Sequence, residues 1–295
     1  MHSLVRMLFI AFFALAAPQL AHAEDADALY KAGLSYKNSG KTDEAIKSFE
    51  AAVAKNPNHG MAWASLGSLY KAKSDMPKAV GAYEKATGLI KKDKVLWANL
   101  GMAYYRNKQL DQAITALVTA CKLDPKDAEI RGNLGTVRRQ KGDIKGAITD
   151  LEIAVKLKPA EASYHNNLGV AYRHDKRLDE AVKSFNKAIE LAPNDPSYHF
   201  NLAASLRRQE KYEEAQVAYE KAVGLDPGNA EAWFDLGFIY KQNHYNDKAI
   251  EAFNKYLEIN KNKDPEGAKR IQGELESLGA KKGGKKAPPK KAPKK

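Results

Sequence analysis

A 34-residue unit recurs seven times, without insertion, between Ala26 and Lys263. A strict period of this length commits a chain to stacking one supersecondary unit on the next, because no single unit can bury its own apolar face. The anchor is a glycine, usually preceded by leucine, at Gly33, Gly67, Gly101, Gly135, Gly169 and Gly237, with Ala203 in the sixth slot. Twelve residues further on stands an alanine in every unit: Ala45, Ala79, Ala113, Ala147, Ala181, Ala215 and Ala249. Proline closes most units, at Pro57, Pro125, Pro159, Pro193 and Pro227, whereas Lys91 and Lys261 replace it in the second and seventh. At those two junctions a looser or helically continued boundary is expected.

When each unit is numbered from its first residue, positions 4, 7, 8 and 11 share one helical stripe and positions 20, 24, 27 and 28 share another. Trp97, Leu100, Gly101 and Tyr104 form the first stripe in the third unit. Ala181, Phe185, Ala188 and Ile189 form the second in the fifth. Small residues at 8 and 20 let the two backbones approach closely. Turn residues such as Asn38-Ser39-Gly40 and Lys141-Gly142-Asp143 separate the paired helices. The expected fold is therefore all-α, with helix pairs over 26–59, 60–93, 94–127, 128–161, 162–195, 196–229 and 230–263. A capping helix is expected over 264–279, started by Asp264-Pro265, with Ala268, Ile271, Leu275 and Leu278 on one face.

The units resemble the tetratricopeptide repeat (TPR), whose signature begins W-x2-L-G-x2-Y. Trp63-Leu66-Gly67-Tyr70, Trp97-Leu100-Gly101-Tyr104 and Trp233-Leu236-Gly237-Tyr240 match it in full. The fourth unit departs at Arg131 and Arg138, and the sixth at His199, Ala203 and Leu206. The resemblance implies a right-handed α-solenoid whose first helices line a concave groove for a protein or peptide segment.

Chemistry-bearing motifs are missing beyond residue 23: there is no glycine-rich phosphate loop, HExxH, CxxC or GxSxG. Neither an enzyme nor a bound cofactor or metal is expected. His165 and His199 occupy position 4, where tryptophan stands in other units, and are read as packing residues rather than metal ligands. Cys121 is the only cysteine. Its column is otherwise Val53, Thr87, Val155, Ile189, Val223 and Leu257, so the thiol is expected in the core.

Positions 2, 6, 9 and 13 lie across the first helix from its core stripe. Position 6 reads Lys31, Ser65, Asn99, Asn133, Asn167, Asn201 and Asp235, a run of four amides bounded by an acid. Each amide offers an acceptor and two donors, which suits an extended backbone. The run resembles the asparagine ladder of the O-GlcNAc transferase superhelix, although nothing here resembles that enzyme's catalytic domain. Position 13 adds Arg106, His174 and Arg208 to the same face; position 12 adds Lys37, Lys71, Arg139, Arg173, Arg207 and Lys241. Phe200 and Phe234, at position 5, are candidate aromatic anchors. Cations beside amides favour an acidic or carboxylate-bearing ligand. The TPR clamp for carboxylate chaperone tails is not expected, because position 5 holds no lysine and position 9 no asparagine.

The termini read differently from the body. Arg6, the apolar run Met7–Ala17 and Ala21-His22-Ala23 have the form of a cleavable signal peptide over residues 1–23, with no cysteine after it to mark a lipoprotein. The run is too short for a membrane-spanning helix, and no further span is expected. No Asn-x-Ser/Thr sequon occurs, which favours a bacterial periplasmic or secreted location. The net charge of +12 is concentrated: Lys281, Lys282, Lys285, Lys286, Lys290, Lys291, Lys294 and Lys295 carry eight charges and Arg6 one, which leaves +3 for the body. The Lys/Pro-rich stretch 280–295 is expected to be disordered. In an exported chain its partner would be an anionic envelope surface rather than nucleic acid. Two functions follow: a non-enzymatic scaffold binding a peptide or protein in the groove, or an envelope-polymer binder acting mainly through the tail.

Overall fold

The computed structural model describes residues 24–260 and 263–279, and the signal-peptide and tail readings lie outside them. Fifteen helices and no strands occur among the described residues. After a helix over 24–38 (α1) come α2 (Thr42–Lys55), α3 (Gly60–Ala72), α4 (Met76–Leu89), α5 (Lys94–Arg106), α6 (Leu110–Leu123), α7 (Ala128–Lys141) and α8 (Ile144–Leu157). These form one compact unit ending at Leu157. The second unit holds α9 (Ala162–His174), α10 (Leu178–Leu191), α11 (Pro196–Arg208), α12 (Tyr212–Leu225), α13 (Ala230–Gln242), α14 (Asn246–Asn260) and α15 (Pro265–Ser277). From α3 to α13 the first helix of each pair starts at position 1 of the repeat, and from α2 to α14 the second starts at position 17.

Position 34 caps five of the first helices, while α9 starts at the same place without a side-chain cap from Glu161. The side chains of His59, Asp93, Asp127, Asp195 and Asn229 each accept a backbone N–H from the first turn that follows. Such a cap contributes about 1 kcal/mol. Asp264 does the same for α15. At the other end of each first helix, position 15 takes a left-handed conformation in all seven repeats. It is Gly40 and Gly142 in two of them, and Ser74, Lys108, Lys176, Glu210 and His244 in the other five. The chain therefore reverses at one fixed point whatever residue stands there. The junction at Lys91 is no looser than the others: α4 ends at Leu89, position 30, as the proline-closed units do. The Lys261 junction lies outside the described residues.

Packing follows the two stripes. A Cβ placed on Gly67 would stand 2.7 Å from the Tyr83 ring, and one on Gly101 2.6 Å from Leu117, so position 8 admits glycine because position 24 of the partner helix presses against it. Phe49, Leu117, Leu151, Phe185, Tyr219 and Phe253 at position 24 are fully buried, as are all seven position-20 alanines. Cys121 is buried among Ala113, Leu117 and Leu134, and burial pushes its thiol above the ordinary range. It is a core residue.

The position-4 ring has a polar duty besides packing. The indole Nε1–H groups of Trp63, Trp97 and Trp233 donate to the carbonyls of Pro57, Lys91 and Pro227, six residues back, at 2.9, 2.9 and 3.0 Å. His165 and His199 place Nε2 2.9 and 2.8 Å from the corresponding carbonyls of Pro159 and Pro193. A carbonyl only accepts, so both imidazoles carry their proton on Nε2 and do the work of the indole. The fourth unit, with Arg131 in this slot, uses ionic packing instead. Asp150, with its side chain 2% exposed, accepts from Arg131 at 2.8 Å and from Arg138 at 2.6 Å.

Candidate functional site

Two members of the position-6 column, Asn99 and Asn133, line a pocket of about 290 Å³ on α3, α5 and α7. Val95, Ala98, Met102 and Ile130 supply its apolar wall, Asn99 and Asn133 its amides, and Lys71 and Arg106 its cations. Asp127 and Glu129 close the far end, with the Asp127 carboxylate held by Lys94 at 2.8 Å. Lys71 Nζ donates to Asn99 Oδ1 at 3.0 Å. Burial, and after it the Arg106 guanidinium, pull the Lys71 ammonium below the ordinary lysine range. Among the described residues no carboxylate lies within ion-pair distance of Lys71 or Arg106. The Asn133 amide has no hydrogen-bond partner among them either. Two cations, two amides and an apolar wall therefore converge on open space.

The same column in the second unit is more internally committed. Asn201 donates through Nδ2 to Asn166 Oδ1 at 3.0 Å, and its backbone carbonyl accepts from Arg173 at 3.4 Å. Asn167 is half-buried, and His174 and Arg208 are exposed at the helix ends.

Three of the expected groove residues are spent on the core. Asp235 is 8% exposed, accepts the Tyr219 phenol proton at 2.8 Å and has Arg207 at 3.5 Å. Burial first, and Asp235 next, raise the Tyr219 phenol well above its ordinary value, so the phenol keeps its proton. Phe200 lies edge-on to Tyr219 with ring centres 5.8 Å apart. Phe234 packs on Phe238 and Tyr256, and Arg270 of α15 lies over it at 5.2 Å. As anchors for a ligand the two phenylalanines are half-covered, because position 5 sits at the edge of the core stripe.

The apolar residues that do stand free had no aromatic signal to mark them. Met61 and Val95, both at position 2, are 51% and 55% exposed. Every other unit has a polar residue there (Asp27, Glu129, Ser163, Ser197, Glu231), so reading that column would have found them.

Position 12 and position 6 also prove to be one system. Lys71 reaches Asn99, Arg173 reaches Asn201, and Arg207 reaches Asp235, in each case across 28 residues into the next first helix. In these three pairs the cation and the position-6 residue belong to successive repeats.

The model of the Cilia and flagella-associated protein 70 C-terminal domain matches residues 12–232, and a tetratricopeptide-repeat model matches residues 206–270. No curated protein matches the chain. Among solved structures, Cut9 from the APC/C hetero-tetramer Cut9–Hcn1 is similar over 82% of this chain at 20% identity and a TM-score of 0.63. The chain spans 47% of the length of Cut9. MamA is 26% identical over 59% of this chain and 96% of its own, with a TM-score of 0.55. YrrB, described as a TPR protein with an unusual peptide-binding site, is 24% identical over 66% of this chain and 100% of its own, with a TM-score of 0.54. The repeat geometry and these matches agree, and the chain belongs to the tetratricopeptide-repeat family.

Proposed function

We propose that the chain is a non-enzymatic scaffold of the bacterial cell envelope, and that the pocket on α3, α5 and α7 takes an extended, carboxylate-bearing segment of a partner protein. One observation carries the reading: Lys71 and Arg106 line a partly buried pocket beside Asn99 and Asn133, and among the described residues neither cation is ion-paired, although Asp127 and Glu129 line the same pocket. A carboxylate placed there would accept charge-assisted hydrogen bonds from both cations. The amides would meet the peptide backbone, and Val95 and Met102 would cover a neighbouring side chain. TPR proteins bind other proteins or peptides, which supports the class of ligand.

The test uses the full chain on an array of extended acidic peptides and their amidated counterparts. Acidic members are expected to bind and amidated ones not. Lys71→Ala with Asn133→Ala is expected to weaken binding about tenfold, the loss of about 1.4 kcal/mol, with thermal unfolding nearly unchanged. Equal binding of acidic and amidated peptides, or loss of binding only through loss of stability, would sink the assignment.

The envelope location rests on the Arg6–Ala23 segment, and cell fractionation tests it. The eight lysines of 281–295 would add loose tethering to anionic lipid, at about 1 kcal/mol per lysine near the surface. Deleting them should abolish salt-sensitive vesicle binding and leave peptide capture intact. If peptide capture goes with the tail, the tail is the principal binder.

A further inference from the structure

The repeat gives every surface position its own internal controls, and in one place three columns change together. Tyr70, Tyr104 and Tyr240, at position 11, donate to Glu50, Glu84 and Glu220 of the preceding repeat at 2.6, 2.5 and 2.8 Å. In the sixth repeat the phenol is replaced by Leu206, and the acceptor in front of it by Asn186. With both gone, a hollow of about 540 Å³ opens between α10 and α12, floored by Leu202 and Leu206 and walled by Val182 and Ile189. Position 22 borders it. That position is Lys47, Gly81, Thr115, Thr149, Lys183 or Glu251 elsewhere, but Val217 here. Val217 is 66% exposed, more than any other large apolar side chain among the described residues.

The charges beside this hollow identify what fits it. Glu214, Val217, Ala218 and Lys221 follow one another at i, i+3, i+4 and i+7, one stripe of α12 about 10 Å long. Read from either end the stripe is a charge, two apolar residues and the opposite charge. Among the described residues neither Glu214 nor Lys221 makes an ion pair. We propose that this face binds a second copy of the chain, α12 against α12, antiparallel across a two-fold axis. That axis sets Glu214 against Lys221 of the second copy and the reverse, with Val217 over Ala218 and into the opposing hollow, as an isologous contact requires. Ala218, small and only 6% exposed, lets the helices approach closely. Two 14-residue helices give a face at the small end of specific interfaces, so the dimer forms in the micromolar range.

Sedimentation of the full chain across that range is expected to show a concentration-dependent dimer. Glu214→Lys alone and Lys221→Glu alone each oppose like charges twice, and each is expected to raise the dimer Kd about tenfold or more. Mixing the two variants in equal amounts sets two cations against two acids and should restore the dimer. Both positions are exposed, so unchanged thermal unfolding verifies the fold of each variant. A chain that stays monomeric, a dimer indifferent to the single reversals, or a mixture that does not recover would each overturn the proposal. So would a monomeric chain whose hollow takes an apolar peptide.

Discussion

Asp150 shows how much one column can hide. Position 23 is small in the other repeats (Ser48, Ala82, Ala116, Ser184, Ala218, Ala252), and the departures at Arg131 and Arg138 are plain in the sequence as lost aromatics. That the two arginines converge on one buried carboxylate was not legible, because the three residues lie on two helices and only the fold brings them together. Removing the acid leaves two cations facing one another, partly screened by their exposure. Asp150→Ala is expected to cost about 2–4 kcal/mol in urea unfolding. Replacing all three by the residues of sibling repeats, Arg131→Trp, Arg138→Tyr and Asp150→Ala, is expected to be neutral or stabilising, since well-packed apolar groups commonly match a buried ionic cluster. A triple variant as unstable as the single one would show that the cluster positions the fourth repeat in a way packing cannot. The position-6 column is not uniform: Asn99 and Asn133 line a pocket, whereas Ser65 and Asp235 are buried. What the sequence could not show was that the cations reaching Asn99, Asn201 and Asp235 come from the repeat before.

At the scale of the element, helix positions followed from the period, whereas the turn between paired helices was only partly visible. Gly40 and Gly142 reveal a left-handed residue; Ser74, Lys108, Lys176, Glu210 and His244 conceal the same geometry, at φ of 61–63°. A side chain held there costs about 1–2 kcal/mol, offset in part by the greater entropy glycine loses on folding. Lys108→Gly and Lys176→Gly, in different units, are each expected to raise stability by about 0.5–1 kcal/mol and to add when combined. Thermal and urea midpoints that stay put or fall would mean that these side chains contribute contacts outweighing the backbone strain.

At the scale of the whole molecule, buried and carboxylate-bonded phenols set the response to alkali. Burial pushes the Tyr83 phenol up to about 12, and burial together with Glu84 takes Tyr104 to about 12, from an ordinary 10.0. Tyr70, Tyr219 and Tyr240 move the same way. Because the folded chain holds these protons more tightly than the unfolded one, their contribution is complete below pH 10 and is lost as pH rises toward about 12. Cooperative loss of helical circular dichroism is expected across that window, coinciding with the last phase of the rise in tyrosinate absorbance; all the tyrosinate appearing at ordinary pH with helicity intact would refute it. The fold as a whole was legible because a period states what each repeat turns inward. It says much less about what the repeats turn outward, where Val95 and Met61 differ from their column without disturbing it. The reach from position 12 to position 6 of the next repeat has a further consequence for anyone cutting or recombining this chain. The block that folds and the contact between position 12 and position 6 are out of phase: Lys71 belongs to one 34-residue block and Asn99 to the next. A splice at the block boundary keeps every helix pair whole yet separates a cation from the amide it contacts, so exchanged blocks can keep their fold and still lose the contacts between them.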